Sequence, residues 1–379
     1  MRIRDLLLGV FVISIGYSAN AINFSRVNVA WQYDLSFQVK MAHRVVRSDN
    51  GNVVFLRVAS DSLSTWEFEF LVQDRYESET DRNEKMLKID TLNSTLDQVL
   101  LKLTVPQIDE NLLIVKFSQP ESFYYYDIPL KIGSLSFPTI YPVDDAGLPI
   151  LEKYINRSGF SWVGNDSFLA MQYPEAFLPA DPPMADMKPM APQVDLDSSF
   201  LFTKNPDFQE NKFYTVLKDS LTSVGVTMLR MPPYFPKYRQ LGELIESMLY
   251  LTSEQEKKSM LKSNNPKQSF DSFWMNTYTT QSRAKKGIRR YYSLIEQSNI
   301  LFTDFKAGWK TDRGMMYIAF GLPDEVYRTT STEEWYYDEG SFFEFAIIST
   351  FFAPKTYTLR RSIDFEAEWY AQIAMFRRG

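Results

Sequence analysis

The segment GWKTDRGMMYIAFGLPDE, Gly308–Glu325, combines three glycines, a tryptophan, an Asp-Arg pair and a Pro-Asp turn around one apolar run. The helical spacing of apolar residues upstream ends near Phe305, so Gly308 is predicted to end a helix in the left-handed conformation. Trp309 is then expected to fold back onto the last helical turn, where burial requires a partner for its indole N–H. The segment is interpreted as scaffolding between a helical hairpin and a small sheet, rather than as a catalytic loop.

The polar residues of this segment have short-range structural explanations. Thr311 and Asp312 carry short side chains of the kind that bond nearby backbone N–H groups in turns. Arg313 is expected to pair with Asp312 or Asp324, the nearest carboxylates in the sequence. None of these assignments requires a reaction.

A small antiparallel sheet is predicted to follow. Gly314 permits close backbone approach before its first predicted strand, Met315–Phe320. A Gly-x-Pro-Asp turn comes next, and a later Trp-x-Tyr pair lies on one face of a returning strand. The residues assigned to a structural or interaction motif are Gly308, Trp309, Thr311, Asp312, Arg313, Gly314, Gly321, Pro323, Asp324, Trp335 and Tyr337.

Upstream of the motif, the apolar period is helical. Four helices are predicted, the second with Thr252 as its N-cap and Gln255 three residues on. The fourth helix is predicted over 282–305, and a last helix over 364–377. Residues 236–379 are therefore predicted to form one α/β module, with a helical hairpin and a small antiparallel sheet.

The first half of the chain predicts β-structure. Every second residue from Val27 to Met41 is apolar, which predicts one long strand. The Asn-Gly pair within 48–52 predicts a hairpin, and further short strands follow as far as residue 135. We therefore expect an antiparallel β-sandwich over 22–135, and the fold class is α+β multidomain.

The middle of the chain, residues 136–235, predicts a second and smaller β region. It is interrupted by residues 174–192, which contain six prolines. Such a density of proline prevents both helix and central strand. We expect an extended linker or a long loop that crosses a surface.

The N-terminus has the pattern of a signal peptide over 1–21. A basic start precedes the apolar run Leu6–Tyr17, and Ala19 and Ala21 form a small-residue cleavage pattern. The mature protein is expected to be exported, and to be periplasmic, outer-membrane associated or extracellular. Without cysteine it is not expected to be a lipoprotein. No later run predicts a transmembrane helix, which leaves peripheral membrane association open.

Composition narrows the chemistry. The chain has no cysteine and one histidine, His43, which excludes thiolate sites and metal sites with several histidines. No cofactor and no metal are expected. The formal net charge is −6, and the densest basic run, Arg283–Arg290, is interpreted as a solvated helix face. Nucleic acid is therefore not an expected partner.

The run Gly308, Trp309, Lys310, Thr311 and Asp312 resembles the signature of the GWxTD domain family. The similarity extends through the Arg-Gly pair, the Gly-x-Pro-Asp turn and the Trp-x-Tyr pair, and it covers roughly 235–379. It implies an exported protein of Bacteroidota-like envelopes, and no reaction. The segment LIEQSNILF lacks the arginine of the family pattern, so no role of that arginine carries over. The Gly-x-Pro-Asp…Trp-x-Tyr hairpin is also similar to one in small outer-membrane assembly lipoproteins.

Three functions remain open at this point. The favoured hypothesis is a non-catalytic envelope protein that binds a protein partner or serves assembly or secretion. A glycan-active enzyme would need two facing carboxylates, and the structural alternative places these residues in turns and at a solvated edge. A glycan-binding protein without hydrolysis would need exposed tryptophans on one flat face. The carboxylate candidates are Asp312, Asp324, Glu333 and Glu334, and the tryptophans are Trp162, Trp309 and Trp335.

Overall fold

The structure is a computed structural model. It describes residues 22–77, 87–106, 111–131, 136–174, 177–185, 195–222, 224–338, 340–349 and 355–378. The predicted signal peptide and parts of the proline-rich segment lie outside these ranges.

The predicted N-terminal β-sandwich is confirmed. Its strands are β1 (Lys40–Ser48), β2 (Gly51–Ala59), β3 (Glu67–Gln73), β4 (Lys88–Ser94), β5 (Gln98–Pro106), β6 (Leu112–Gln119) and β7 (Ser122–Pro129). They form two antiparallel sheets, in the orders β1-β2-β5-β4 and β3-β6-β7. Leu56 and Leu103 from the first sheet share a buried core with Val115 and Phe117 from the second. The predicted Asn-Gly hairpin joins β1 to β2.

The predicted long strand from Val27 to Met41 is wrong. A short 3₁₀ helix, Phe24–Arg26, precedes this segment, a second one, Ala30–Tyr33, lies within it, and β1 begins only at Lys40. Most of these alternating apolar residues are buried or partly buried, and they are divided between two cores. Trp31 packs against sandwich residues, whereas Tyr33 is buried in the C-terminal core. Tertiary burial therefore produces a period of two without a strand.

The middle of the chain forms a second β region. Its strands are β8 (Tyr141–Asp144), β9 (Tyr154–Ile155), β10 (Phe160–Val163), β11 (Phe168–Pro174), β12 (Ser198–Phe202), β13 (Lys212–Leu217) and β14 (Val226–Arg230). Five of them form a sheet in the order β12-β11-β13-β14-β9, in which β9 is parallel to β14. Strands β8 and β10 form a separate pair. Trp162, Phe168 and Tyr214 are buried together in the core of this region.

The C-terminal region contains helices and a small antiparallel sheet, as predicted. Its elements are α1 (Leu241–Ser247), α2 (Glu254–Lys262), α3 (Pro266–Tyr278), α4 (Gln281–Phe302), α5 (Asp312–Phe320), β15 (Glu325–Arg328), β16 (Thr332–Tyr336), β17 (Phe342–Ile348), β18 (Thr356–Leu359) and α6 (Glu366–Arg378). The sheet order is β15-β16-β17-β18. The N-cap of α2 is Ser253, one residue after the predicted Thr252, and Glu256 completes its capping box.

Two local predictions around the motif are wrong. Residues 315–320 belong to helix α5, not to a strand. Five consecutive residues of α5 are buried, so the segment shows neither helical nor alternating periodicity, and length and composition cannot separate the two. Gly308 does not end α4 in the left-handed conformation, because α4 ends at Phe302 and Gly308 begins a 3₁₀ turn.

Candidate functional site

Gly308 allows the motif loop to touch the side of α4. A Cβ atom at Gly308 would overlap the backbone carbonyl of Ser298, so only glycine fits this position. The Gly308 N–H donates to the hydroxyl of Thr303 at 3.0 Å. The glycine is therefore required for close approach, and not for a positive φ.

Asn299 of α4 organises the tryptophan that follows. Its side-chain oxygen accepts the backbone N–H of Trp309 at 3.2 Å, and its amide donates to the carbonyl of Pro236 at 2.9 Å. The indole N–H of Trp309 donates to the hydroxyl of Tyr238 at 2.8 Å. The predicted burial of Trp309 with a partner for its N–H is thus confirmed.

Thr311 begins α5. Its hydroxyl donates to the carbonyl of Gly308 at 2.7 Å and accepts the N–H of Gly314 at 3.0 Å. A Cβ atom at Gly314 would overlap the carbonyl of Gly308, so the loop closes on itself through two glycines. Thr311 bonds a nearby backbone N–H as the sequence predicted, but it does so as the N-cap of a helix and not in a turn before a strand.

Asp312 connects α5 to the strand β18. Its carboxylate accepts the backbone N–H of Leu359 at 2.7 Å and forms an ion pair with Arg361 at 2.7 Å. Both charged side chains of this pair are about nine-tenths buried. Asp312 is therefore a connection between two elements, which goes beyond the turn role that the sequence predicted.

The described part of the proline-rich segment lies on the motif. The N–H of Ala180 donates to the carbonyl of Lys310 at 2.9 Å, and Arg361 donates to the carbonyl of Asp181 at 2.9 Å. Phe177 packs edge-on against Phe305. Residues 177–185 thus cross the surface of the C-terminal region, which agrees with one of the two predicted alternatives.

Arg313 does not pair with Asp312 or Asp324, and that prediction is wrong. Its guanidinium lies 3.3 Å from the carboxylate of Glu333 and donates to the hydroxyl of Tyr33 at 2.9 Å. The helical backbone of α5 turns Arg313 away from its sequence neighbours and toward the sheet. The sequence does not predict a contact between Arg313 and Glu333, and the fold brings the two side chains together.

Glu333 belongs to a buried cluster of charges and not to a solvated edge. Arg328 forms ion pairs with Glu333, at 2.8 Å, and with Asp127 of the sandwich strand β7. The hydroxyl of Tyr33 contacts Glu333 at 2.8 Å and accepts from Arg328 at 2.8 Å. The side chains of Asp127, Glu333 and Arg328 are 1%, 0% and 5% exposed. We call these four residues the buried charge cluster.

Two further groups complete this cluster. The hydroxyl of Tyr76 donates to Asp127 at 2.6 Å, and the indole N–H of Trp335 donates to Glu333 at 2.9 Å. Strand β15 is also bonded to the N-terminal segment, since the N–H of Val29 donates to the carbonyl of Val326 at 2.8 Å. The cluster therefore lies where the sandwich, the N-terminal segment and the C-terminal sheet meet.

Both carboxylates of the cluster have a pKa below their usual value. Burial alone would raise the pKa of Asp127, but the charges of Arg328 and Lys355 and the Tyr76 hydroxyl hold it well below its usual value. Burial likewise opposes the ionisation of Glu333, and Arg328 and Arg313 outweigh it and lower its pKa. A glycoside-cleaving acid needs the opposite shift, toward a raised pKa.

The remaining motif residues form a turn and a sheet face. Gly321 follows α5 with a positive φ of 85°, and its carbonyl accepts the hydroxyl of Tyr337 at 3.2 Å. Pro323 is buried in this turn, and Asp324 accepts the N–H of Asp338 at 2.8 Å. Asp324 is thus a turn residue, as the structural alternative predicted.

The other glycan candidates also have structural positions. Glu334 lies on the outer face of β16, where it accepts the hydroxyl of Tyr336 at 3.0 Å. Trp162, Trp309 and Trp335 are 2%, 2% and 0% exposed. None of these tryptophans offers a face on which a sugar could stack.

The residues that the structure describes show neither a metal site nor a membrane-spanning helix. Within them, no group of three or more His, Asp or Glu side chains is arranged to hold a metal ion. No helix among them has the length and apolar character needed to cross a bilayer. A groove of about 230 Å³ opens between α4, α5 and α6, and none of the residues that line it belongs to the buried charge cluster.

Sequence reasoning missed several residues that organise this site. Tyr33, Asp127 and Arg328 meet only through contacts between distant parts of the chain. Asn299 had a usable signal, because it is a polar residue in the apolar stripe of α4 and is fully buried. Arg361 had none, because its partner Asp312 lies 49 residues away.

The fold and site define a modular β-rich protein whose signature residues connect its parts. Residues 212–378 match the GWxTD domain, so this part of the chain belongs to the GWxTD domain family. The match begins before residue 236 and includes strands β13 and β14. No curated protein and no solved structure matched the chain.

Replacing Trp309 tests the structural role of the motif. We expect Trp309→Ala to lower the free energy of unfolding by about 3–5 kcal/mol, because a buried indole leaves a cavity. Urea unfolding measures this change. The exposed Tyr370→Ala on α6 is the control and should change it by about 0.5 kcal/mol or less. Equal stability of Trp309→Ala and the wild type would contradict the role.

Replacing Arg328 tests the buried charge cluster. We expect Arg328→Met to lose about 3–5 kcal/mol at neutral pH, because two buried carboxylates lose their main cation. The pKa values of Asp127 and Glu333 are lower in the folded protein than in the unfolded chain, where they are about 4. The stabilisation from the cluster is therefore present above about pH 4 and is lost as the pH falls further. The deficit should therefore shrink in acid.

Urea unfolding at neutral pH and at about pH 3 measures the loss of unfolding free energy and its reduction in acid. The carboxylates of the unfolded chain titrate between these two pH values. The control is Arg360→Met, which removes an arginine that is paired with Glu344 but largely exposed. That variant should lose about 1 kcal/mol or less. A deficit of Arg328→Met that is the same at both pH values would contradict the assignment.

Proposed function

We propose that this protein is a non-catalytic, exported cell-envelope protein that acts as a protein-interaction or assembly and secretion accessory. The observation that carries the proposal is that the signature residues make contacts within the molecule. Gly308, Trp309, Thr311, Asp312 and Gly314 all bond or pack within the molecule, and none of them faces an open cleft. The motif supports the surfaces around it.

One such surface is the outer face of the C-terminal sheet. Tyr336 and Phe342 are each more than a third exposed, with ring centroids 4.8 Å apart, and Tyr327 packs beside them. Exposed aromatic residues of this kind are enriched in protein interfaces. Glu325, Glu334 and Glu344 lie on the same face of this sheet, and the first two accept the hydroxyls of Tyr327 and Tyr336.

The same geometry favours an interaction function over the two glycan alternatives. A retaining or inverting glycosidase requires two carboxylates across an accessible gap. Here Asp312 is paired with Arg361, Glu333 is enclosed by arginines, and Asp324 closes a turn. Glycan binding through the three candidate tryptophans would require them to be exposed, and they are buried.

Export and an envelope location rest on the N-terminal pattern and on the family resemblance. The segment from Ile22 onward is integrated into the fold, because the Gln73 side chain bonds both the N–H and the carbonyl of Ile22. A chain cleaved after Ala21 would keep both bonds. The compartment proposed is periplasmic, outer-membrane associated or extracellular, in a Bacteroidota-like envelope.

Crosslinking in the native envelope tests the proposal. A photoreactive residue placed at Tyr336 or Phe342 is expected to give a discrete protein adduct. The same residue at Leu96, which is almost fully exposed on the sandwich, is the control and should give none. Folded protein without any adduct from the C-terminal region, or a glycan-cleaving activity lost in Glu334→Gln, would overturn the proposal.

A further inference from the structure

The groove between α4, α5 and α6 is lined by apolar side chains and by one cation. The large apolar residues are Leu294, Ile318 and Phe320. Arg290 also lines it, and the Arg290 guanidinium lies 4.9 Å from the centre of the Phe376 ring. An aromatic contact therefore holds this arginine beside the groove.

Two more cations continue from Arg290 along α4. Arg283, Lys286 and Arg290 follow the spacing i, i+3, i+7, so they lie on one side of the helix. All three are exposed, and in the described ranges none of them forms an ion pair. We call these three residues the cationic stripe. It leads into the groove, because Leu294 continues the same side of α4.

The other two cations of this basic run lie elsewhere on the helix. Lys285 and Arg289 are offset by about 100° from Lys286 and Arg290, since each helical residue turns by that angle. Both are exposed as well. The run that the sequence analysis interpreted as a solvated face is therefore divided into a stripe beside the groove and a pair away from it.

The size and lining of the groove restrict what it can hold. Its volume of about 230 Å³ is below the range of about 300–1,000 Å³ that is typical of small-molecule sites. It can take one large side chain. Its walls include Ser293, Gln297 and Gln372. The Gln297 amide is already bonded to Ser293 and to Tyr317, so the Gln372 amide and the Ser293 hydroxyl hydrogen are the groups that suit a peptide backbone better than a lipid tail.

We propose that the groove and the cationic stripe bind an extended acidic segment of a partner protein. One apolar side chain of that segment enters the groove, and its carboxylates pair with Arg290, Lys286 and Arg283. This inference rests on the proposed interaction function and names the chemistry of the partner.

The spacing of the stripe supports an extended segment. Arg283 and Arg290 are seven residues apart, which is about 10 Å along a helix with a rise of about 1.5 Å per residue. In an extended chain, side chains on one face recur every two residues, or about 6.6 Å. Three acidic residues at alternate positions span about 13 Å, about 3 Å more than the stripe, and the long Arg and Lys side chains can reach over this difference.

Peptide binding to the full chain tests this proposal. The probe is a fluorescent synthetic peptide in which glutamate alternates with alanine, followed by one leucine. Binding is measured by fluorescence anisotropy and should weaken with added salt. A peptide with lysine in place of glutamate should not bind.

Matched charge reversals locate the site. Arg283→Glu with Lys286→Glu should weaken binding about tenfold or more, because carboxylates on the stripe repel the peptide. Lys285→Glu with Arg289→Glu, which has the same net charge on the same helix, should change it by about threefold at most. Ala319→Leu should also weaken binding, because the added side-chain atoms occupy the groove that receives the apolar side chain of the peptide.

Three results would overturn the proposal. They are equal losses in the two double variants, no binding of the peptide to the wild type, and binding of anionic lipid vesicles through the stripe with no binding of the peptide. Tyr336 and Phe342, the crosslinking positions, lie on a different face of the protein. The crosslinking result therefore tests the proposed function independently of peptide binding. If those crosslinks persist while the peptide fails, only this inference is wrong.

Discussion

The fold depends on the arginine that two distant carboxylates share. Arg328 lies between Asp127 and Glu333, and all three charges are removed from water. Such a cluster is tolerable only when every charge has a partner and its remaining hydrogen-bonding groups are satisfied. Tyr33 and Tyr76 supply those contacts here. The cluster therefore requires the sandwich, the N-terminal segment and the C-terminal sheet to be in place together.

The family motif also joins separate elements of the fold, and it does so largely through backbone contacts. Gly308 and Gly314 permit the chain to pass against carbonyl groups, and Trp309 fills the space beneath the loop. Asp312 and Arg361 then join the helix, the last strand and the proline-rich segment. A motif of this kind can recur in proteins without a shared reaction, because what it specifies is how neighbouring elements are joined.

Much of this fold can be predicted from local pattern, and little of its site can. The sandwich hairpin and the burial of Trp309 follow from turn residues and apolar spacing over a few positions. The failures, Val27–Met41 and Met315–Phe320, are segments buried by tertiary contacts on more than one side. Arg328 and Asp127 are 201 positions apart, and Tyr33 and Glu333 are 300 apart. No local pattern in one sequence joins residues so far apart.

Differential scanning calorimetry of the wild type at neutral pH tests the central claim, which is that the buried charge cluster unites the sandwich and the C-terminal region. The account predicts one transition whose calorimetric and van't Hoff enthalpies agree. Two resolved transitions, with the sandwich unfolding separately from the C-terminal region, would contradict it.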